Sequence, residues 1–196
     1  MSGLSPLFSY VCGQVNLWAP GGETLPFCQR CTGLYVGGAY AQLVWLLFRP
    51  RPTLRILGMH ALLMLLMIPY GYHLVPQDGE LRTLTGQLFA VGLTYFLLLN
   101  PALRWRPWGE RDGNERAYWA ALLAGLPLLL LAVHWESGMA APVLVGLGVA
   151  GLLGFAGLAL ANLALFALFL RERLHSPGRS GTDRVAQASS PVRRTT

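Results

Sequence analysis

The chain has 196 residues, of which 54% are hydrophobic and only 12% are charged. Soluble domains carry about 25% charged residues, so this composition excludes an ordinary water-facing globule, and the high hydrophobicity excludes a disordered chain. The net charge is +6, and all 15 basic residues are arginine. The composition therefore indicates an integral membrane protein.

The first predicted element is an N-terminal tail, residues 1–31, which contains all three cysteines of the chain. Its start lacks basic residues, and its short apolar stretch is interrupted by Pro6. These features are not those of a secretory signal peptide. We expect the tail to remain on the protein and to cross the membrane with the first helix.

Five stretches contain no Asp, Glu, Lys or Arg, and they hold 102 of the 196 residues. A bilayer core of about 30 Å needs about 20 mainly apolar helical residues, so each stretch predicts one transmembrane helix. We expect an all-α polytopic bundle over residues 32–170. The five predicted spans are 32–48, 56–74, 84–100, 117–134 and 140–170. The basic segment 171–196 has little to bury and predicts a disordered tail.

Arginine is distributed unequally between the two sides of this predicted bundle. The regions after the first, third and fifth spans carry 13 of the 15 arginines, and the other side carries only Arg30 and Arg82. Positive loops stay cytoplasmic, so we expect the N-terminus outside and the C-terminus inside a bacterial inner or plasma membrane. The expected partners are the lipid bilayer and its anionic lipids. Nucleic acid is not expected, because no arginine cluster is interleaved with aromatic residues.

The cysteines form the most informative motif of the sequence. Cys28 and Cys31 make a C-x-x-C at the outer start of the first predicted helix, and Cys12 lies upstream of them. Residues three apart at a helix start share a face, so both sulfurs can reach one metal ion or each other. The loop at 20–22 contains one proline and two glycines, which could fold Cys12 back toward the pair.

Three interpretations of these cysteines are open. The first is a tetrahedral site for a transition metal, zinc ahead of iron, made of three thiolates and one more ligand. The second is a redox pair, because a helix N-terminus lowers thiol pKa values and the bacterial exterior is oxidising. The third is a structural clip with one cysteine buried as a small apolar residue. Metal binding ranks first.

Any fourth metal ligand has to come from the same outer side. His73 and His134 are predicted at the outer ends of the second and fourth helices, and both are candidate ligands. Asp78, Glu80 and Glu136 lie in the same outer loops. Histidine and carboxylate groups both complete zinc sites in proteins.

The run LPFCQRCTGLYVG at 25–37 resembles the signature LPxCxRCTGxYxG of domain of unknown function 2085, an uncharacterised family of prokaryotic polytopic membrane proteins. In the family pattern a histidine follows the first cysteine, whereas this chain has Gly13 there. The resemblance implies a cysteine site and no established activity, so it leaves open whether the protein is an enzyme. The matching residues are Cys12, Leu25, Pro26, Cys28, Arg30, Cys31, Thr32, Gly33, Tyr35 and Gly37.

Other residues of the motif have predicted roles of their own. Arg30 is a candidate contact for a phosphate or lipid headgroup at the helix start, although it could also snorkel to the interface. Gly33 and Gly37 are four residues apart and predict close helix packing. Tyr35 is expected to hydrogen-bond across that seam or to join the interfacial aromatic belt. His60 is expected to hydrogen-bond to a neighbouring helix.

The leading hypothesis is therefore a membrane protein with a cysteine-based zinc site at the outer end of its first helix. The alternatives are a membrane thiol-disulfide protein, a lipid-headgroup enzyme or transporter in which Arg30 holds a phosphate, and a scaffold held by its cysteines. No predicted span contains Asp or Glu, which argues against a proton-coupled pump with an intramembrane carboxylate.

Overall fold

The computed structural model describes residues 8–10, 12–13, 15–72, 74–104 and 114–175, and this part of the chain contains no β-sheet. Five helical segments in it are long and apolar enough to cross a membrane. The predicted all-α, five-span fold is confirmed. The helices are α1 (Gln29–Phe48), α2 (Leu54–Leu65), α3 (Met67–Gly71), α4 (Gly79–Arg104), α5 (Glu115–Val133) and α6 (Ala140–His175).

The helices extend beyond most of the charge-free stretches because their end turns accommodate charged residues. Helix α4, for example, includes Glu80 and Arg82 in its first turns and Arg104 in its last. The second span consists of α2 and α3 and ends at Gly71, three residues before its predicted end. Its two parts meet at Leu66, one turn before Pro69, whose ring cannot continue a regular helix.

The last helix is longer than its predicted span. Helix α6 continues through Arg171 and Arg173 to His175, so the first five residues of the predicted disordered tail are helical. The remaining residues of that tail, 176–196, lie outside the described residues.

Helices α1 and α4 form the centre of the bundle, with α5 and α6 packed on α1 and α2 packed on α4. Their backbones approach closely at the end where α1 begins. A Cβ atom on Gly33 would clash with the Thr83 carbonyl oxygen, and one on Gly86 would clash with the Arg30 carbonyl oxygen. These two glycines therefore set the distance between α1 and α4 beside the cysteines.

The segment before α1 packs onto the same end of the bundle. The Phe8 ring is fully buried, with its centroid 4.9 Å from that of Phe27 and 5.7 Å from that of Tyr35. The chain reverses in a 3-10 turn at Pro20–Gly22 and forms an antiparallel bridge between Leu17 and Cys28. This reversal returns the chain to the start of α1.

Candidate metal centre

The three cysteine sulfurs converge at the start of α1. The Sγ atoms of Cys12, Cys28 and Cys31 all lie within 4.8 Å of one another, and none of the three forms a disulfide. Three sulfurs on one tetrahedral zinc ion are about 3.8 Å apart, since a Zn–S bond is about 2.3 Å long. Small side-chain rotations are therefore enough to bring all three onto one ion. The cysteine triad could hold a metal.

Two of the sulfurs are fixed by the first turn of α1. Cys28 is the N-cap residue, and Cys31 lies three residues later in that turn. The backbone N–H and the hydroxyl of Thr32 both donate to the Cys28 carbonyl oxygen, at 2.8 and 3.1 Å. These bonds close the first turn and keep both cysteines on one side of it.

Cys12 is held against this turn by backbone contacts of the loop between them. The Cys28 N–H donates to Cys12 Sγ at 3.2 Å, and the Gln29 N–H donates to the Asn16 carbonyl oxygen at 2.9 Å. Asn16 adopts a left-handed backbone conformation with φ of 55°, which asparagine tolerates better than most residues. The prediction that this loop folds Cys12 back toward the pair is confirmed.

The environment of Cys28 favours its thiolate. The Cys31 thiol acts as hydrogen-bond donor to Cys28 and holds the pKa of Cys28 well below its usual value, and burial opposes this shift only in part. A thiolate is the form in which cysteine binds metals and attacks disulfides. The start of α1 thus favours the thiolate of Cys28, the form that both metal binding and disulfide exchange require.

His134, one of the two histidines predicted as a fourth ligand, is not in this cluster. His134 Nδ1 lies 2.9 Å from the Leu130 carbonyl oxygen, and its Nε2 lies 3.5 Å from Glu80 Oε1. His73 lies outside the described residues. Among the residues described, the cysteine triad is the only group with metal-ligating geometry, and it contains no histidine or carboxylate.

The outer carboxylates have other positions. Asp78 Oδ1 accepts a hydrogen bond from the Leu81 N–H at 2.8 Å and so caps the start of α4, and Glu80 faces His134. Glu136 is exposed and, like the other two, is absent from the cysteine cluster. Among the described residues, the structure therefore brings together the predicted cysteines without His134 or the predicted carboxylates.

Gly13, which stands where the family pattern has histidine, lines the cavity beside the cysteines. Among the described residues, a Cβ atom there would meet only Val15 Cγ2, at 3.9 Å. A larger side chain therefore fits at this position without displacing backbone.

Arg30 leaves the first turn of α1 toward the loop that follows α3. Its Nη2 donates to the Tyr70 carbonyl oxygen at 3.0 Å and to Gln77 Oε1 at 2.9 Å. These bonds tie α1 to the end of the second span. Arg30 also lines the cavity that contains the three cysteines.

Sequence reasoning missed a second arginine in this cavity, Arg82 of α4. The distribution of arginine between the two sides of the bundle, which singled out Arg30, could also have identified Arg82. These two are the only arginines on the sparsely charged side of the predicted bundle. Their proximity depends on the packing of α1 against α4, which the sequence pattern did not specify.

The remaining motif residues pack the helices. Gly33 and Gly37 face α4, where added Cβ atoms would meet Thr83 and Gln87. Tyr35 is buried against the rings of Phe8 and Phe27, with centroid distances of 5.7 and 6.0 Å. Tyr35 thus fixes the N-terminal segment onto α1.

One comparison with known proteins matches part of the chain to a family. Residues 17–96 match the family model described as "Predicted membrane protein (DUF2085)". The family assignment is confirmed over this segment. The DUF2085 segment contains Cys28 and Cys31 and reaches into the third span, whereas Cys12 lies five residues before it. No curated protein and no solved structure matches the chain.

Proposed function

We propose that this membrane protein binds one transition metal ion, zinc in the first place, through Cys12, Cys28 and Cys31. The observation that carries the proposal is the convergence of three sulfurs, none of them in a disulfide, within 4.8 Å at the start of α1. The N–H bond to Cys12 Sγ supports it further, because such contacts orient metal ligands and spread their charge.

Zinc is preferred over iron because of the number and type of ligands. Zinc accepts thiolates readily in tetrahedral sites, and its catalytic sites use three protein ligands with a fourth position open. Mononuclear iron held by sulfur alone would require a fourth cysteine, and the chain has three. The proposal therefore includes a fourth position taken by water or by an incoming ligand. His134 is a weak alternative for that position because both its ring nitrogens already face other groups.

We further propose that the site faces the outside of a bacterial inner or plasma membrane. The support is the charge distribution, since 13 of the 15 arginines follow the first, third and fifth spans and positive loops stay cytoplasmic. Labelling of metal-free protein in intact cells with a membrane-impermeant thiol reagent tests this orientation. Labelling before lysis supports an outer site, and labelling only after lysis contradicts it.

Metal content of detergent-purified protein, prepared without chelator, tests the metal site. We expect about one zinc per chain in the wild type, and loss of that zinc in both Cys12→Ser and Cys28→Ser. A wild-type protein without stoichiometric metal after zinc loading would refute the proposal. Retention of the zinc in both variants would refute it equally.

Gly13→His provides a gain of affinity as a complementary test. An imidazole beside Cys12 supplies a fourth protein ligand, and we expect zinc affinity to rise by about tenfold or more, measured by competition with a chromogenic chelator. Gly138→His is the matched control, because Gly138 also has open space around it but does not line the cysteine cavity. Equal affinities in the two variants would contradict the predicted position of the fourth ligand.

A thiol-disulfide protein is the second candidate, favoured by the position of Cys28 and Cys31 in the first turn of one helix. In thiol-disulfide exchange, the Cys28 thiolate attacks a disulfide of a partner protein and forms a mixed disulfide, which releases one partner thiol. Cys31 then attacks Cys28, which releases the second partner thiol and leaves a Cys28–Cys31 disulfide. Cys12→Ser separates the two candidates. It abolishes metal binding under the first, and under the second it leaves two thiols that become countable only after reduction.

A further inference from the structure

The cysteine cavity is lined by two arginines and, among the described residues, by no carboxylate. Its volume is about 280 Å³, and Arg30 and Arg82 line it together with the three cysteines. None of the described residues that line it is Asp or Glu. This size is close to the lower limit for small-molecule sites, about 300 Å³. The cavity therefore suits a small anionic group.

Both arginines have hydrogen-bonding capacity left over. The Nε atoms of Arg30 and Arg82 are buried, and neither has a hydrogen-bond partner among the described residues. A buried donor without a partner destabilises the folded protein, so an anion that accepts hydrogen bonds from these two side chains would stabilise it. Arginine matches phosphate and carboxylate oxygens better than lysine does, because its planar group offers several donors in a fixed arrangement.

The charge balance of the metal-bound site points in the same direction. A divalent ion with three thiolates has a net charge of −1, and the two arginines bring the total to +1. An anion at the fourth coordination position would neutralise this charge.

We propose that this cavity binds a phosphate group, with one oxygen at the open metal position and the remaining charge held by Arg30 and Arg82. This inference rests on the proposed metal site. The shared chemistry is a phosphate monoester or free phosphate, which could reach the cavity as inorganic phosphate or as the headgroup of phosphatidic acid.

Phosphate binding to the full chain tests the proposal. Zinc-loaded protein is dialysed against radiolabelled inorganic phosphate, and in a second arm it is reconstituted in nanodiscs of phosphatidylcholine with or without phosphatidic acid, whose retention is measured. We expect saturable binding in at least one arm. Binding in the first arm identifies free phosphate as a ligand, and binding only in the second identifies the lipid headgroup.

Arg82→Gln is the decisive variant, because Arg82 lines the cavity and its Nε has no hydrogen-bond partner among the described residues. We expect it to weaken phosphate binding by about 10- to 100-fold, the range for losing a hydrogen bond to a charged group. Arg116→Gln is the matched control, since Arg116 is exposed at the opposite end of the bundle. Equal binding by the two variants, or no binding in either arm, would overturn the inference.

Zinc content is measured in the same samples, which separates this inference from the metal site. Zinc retained by Arg82→Gln shows that the variant folds and that the metal proposal holds whatever happens to phosphate. Cobalt substitution adds a second readout, because a phosphate oxygen entering the metal's coordination sphere changes its visible absorption. That change is expected in the wild type and lost in Arg82→Gln. Its absence from the wild type would refute coordination of phosphate to the metal.

Discussion

The two ends of the helical bundle use arginine in different ways. At the cysteine end, Arg30 and Arg82 are partly buried and line a cavity that lacks carboxylates among its described residues. At the other end, Arg104 pairs with Glu172 at 3.0 Å, and their side chains are 56% and 61% exposed. Arg104 is thus exposed to solvent in an ion pair, whereas Arg30 and Arg82 line a cavity.

This difference shows that the number of arginines at one end of the bundle does not indicate whether they line a cavity. The arginine-rich end fits orientation in the membrane, because exposed ion pairs contribute little to stability and positive loops remain cytoplasmic. Arg55 illustrates this, being 80% exposed and 3.6 Å from Glu115. The cysteine end instead depends on close backbone packing and partly buried hydrogen bonds, so substitutions there should have larger effects.

The largest effect is expected for Gly33→Leu. Even a Cβ atom at this position would clash with the Thr83 carbonyl oxygen, so α1 and α4 would separate beside the cysteines. We expect a loss of more than about 3 kcal/mol of stability, together with loss of metal binding. Thermal unfolding in detergent measures the first effect. Gly58→Leu is the control, since Gly58 has open space around it, and similar losses in both variants would contradict the role of this approach.

His60→Ala tests the interior of the bundle away from the cysteines. His60 is fully buried, stacks on Tyr95 at a centroid distance of 4.2 Å, and has Nε2 3.0 Å from the Tyr118 hydroxyl. Its removal leaves a cavity and an unpaired hydroxyl, which should cost about 2 to 3 kcal/mol of stability without changing metal stoichiometry. Met59→Ala, at a 42% exposed neighbour, is expected to cost less. Loss of the metal in a folded His60→Ala protein would show that the two regions are coupled.

Arg30→Gln should have a smaller effect on stability, about 1.5 kcal/mol. The substitution removes the bonds from Nη2 to the Tyr70 carbonyl oxygen and Gln77 Oε1, and bonds made by a charged donor contribute about this much. Thermal unfolding of the metal-free protein isolates this structural contribution. An unchanged unfolding temperature would mean that Arg30 does not tie α1 to the second span.

Arg104→Gln should have the smallest effect, below about 0.5 kcal/mol, because its ion pair with Glu172 is exposed to solvent and screened by salt. The same unfolding measurement at low and high salt checks it. A loss as large as that of Arg30→Gln would remove the distinction between the two ends of the bundle.

The sequence predicted the helices well because each charge-free stretch is long and separated by charged loops. It also predicted that Cys12 returns to Cys28 and Cys31, since the intervening proline and glycines favour a reversal. It could not predict that Arg82 joins this cavity or that His134 faces Glu80 and stays outside it. Those positions depend on how α1, α4 and α5 pack. The packing of α1 on α4 is set by the close approach of Gly33 to Thr83, which lies about 50 positions later in the sequence.

X-ray absorption at the zinc edge of zinc-loaded protein tests the central claim most directly. A site built from Cys12, Cys28 and Cys31 predicts three sulfur neighbours at about 2.3 Å and one lighter neighbour at about 2.0 Å. The lighter neighbour should become nitrogen in Gly13→His. A spectrum dominated by oxygen and nitrogen neighbours, or a protein that binds no stoichiometric zinc, would contradict the account.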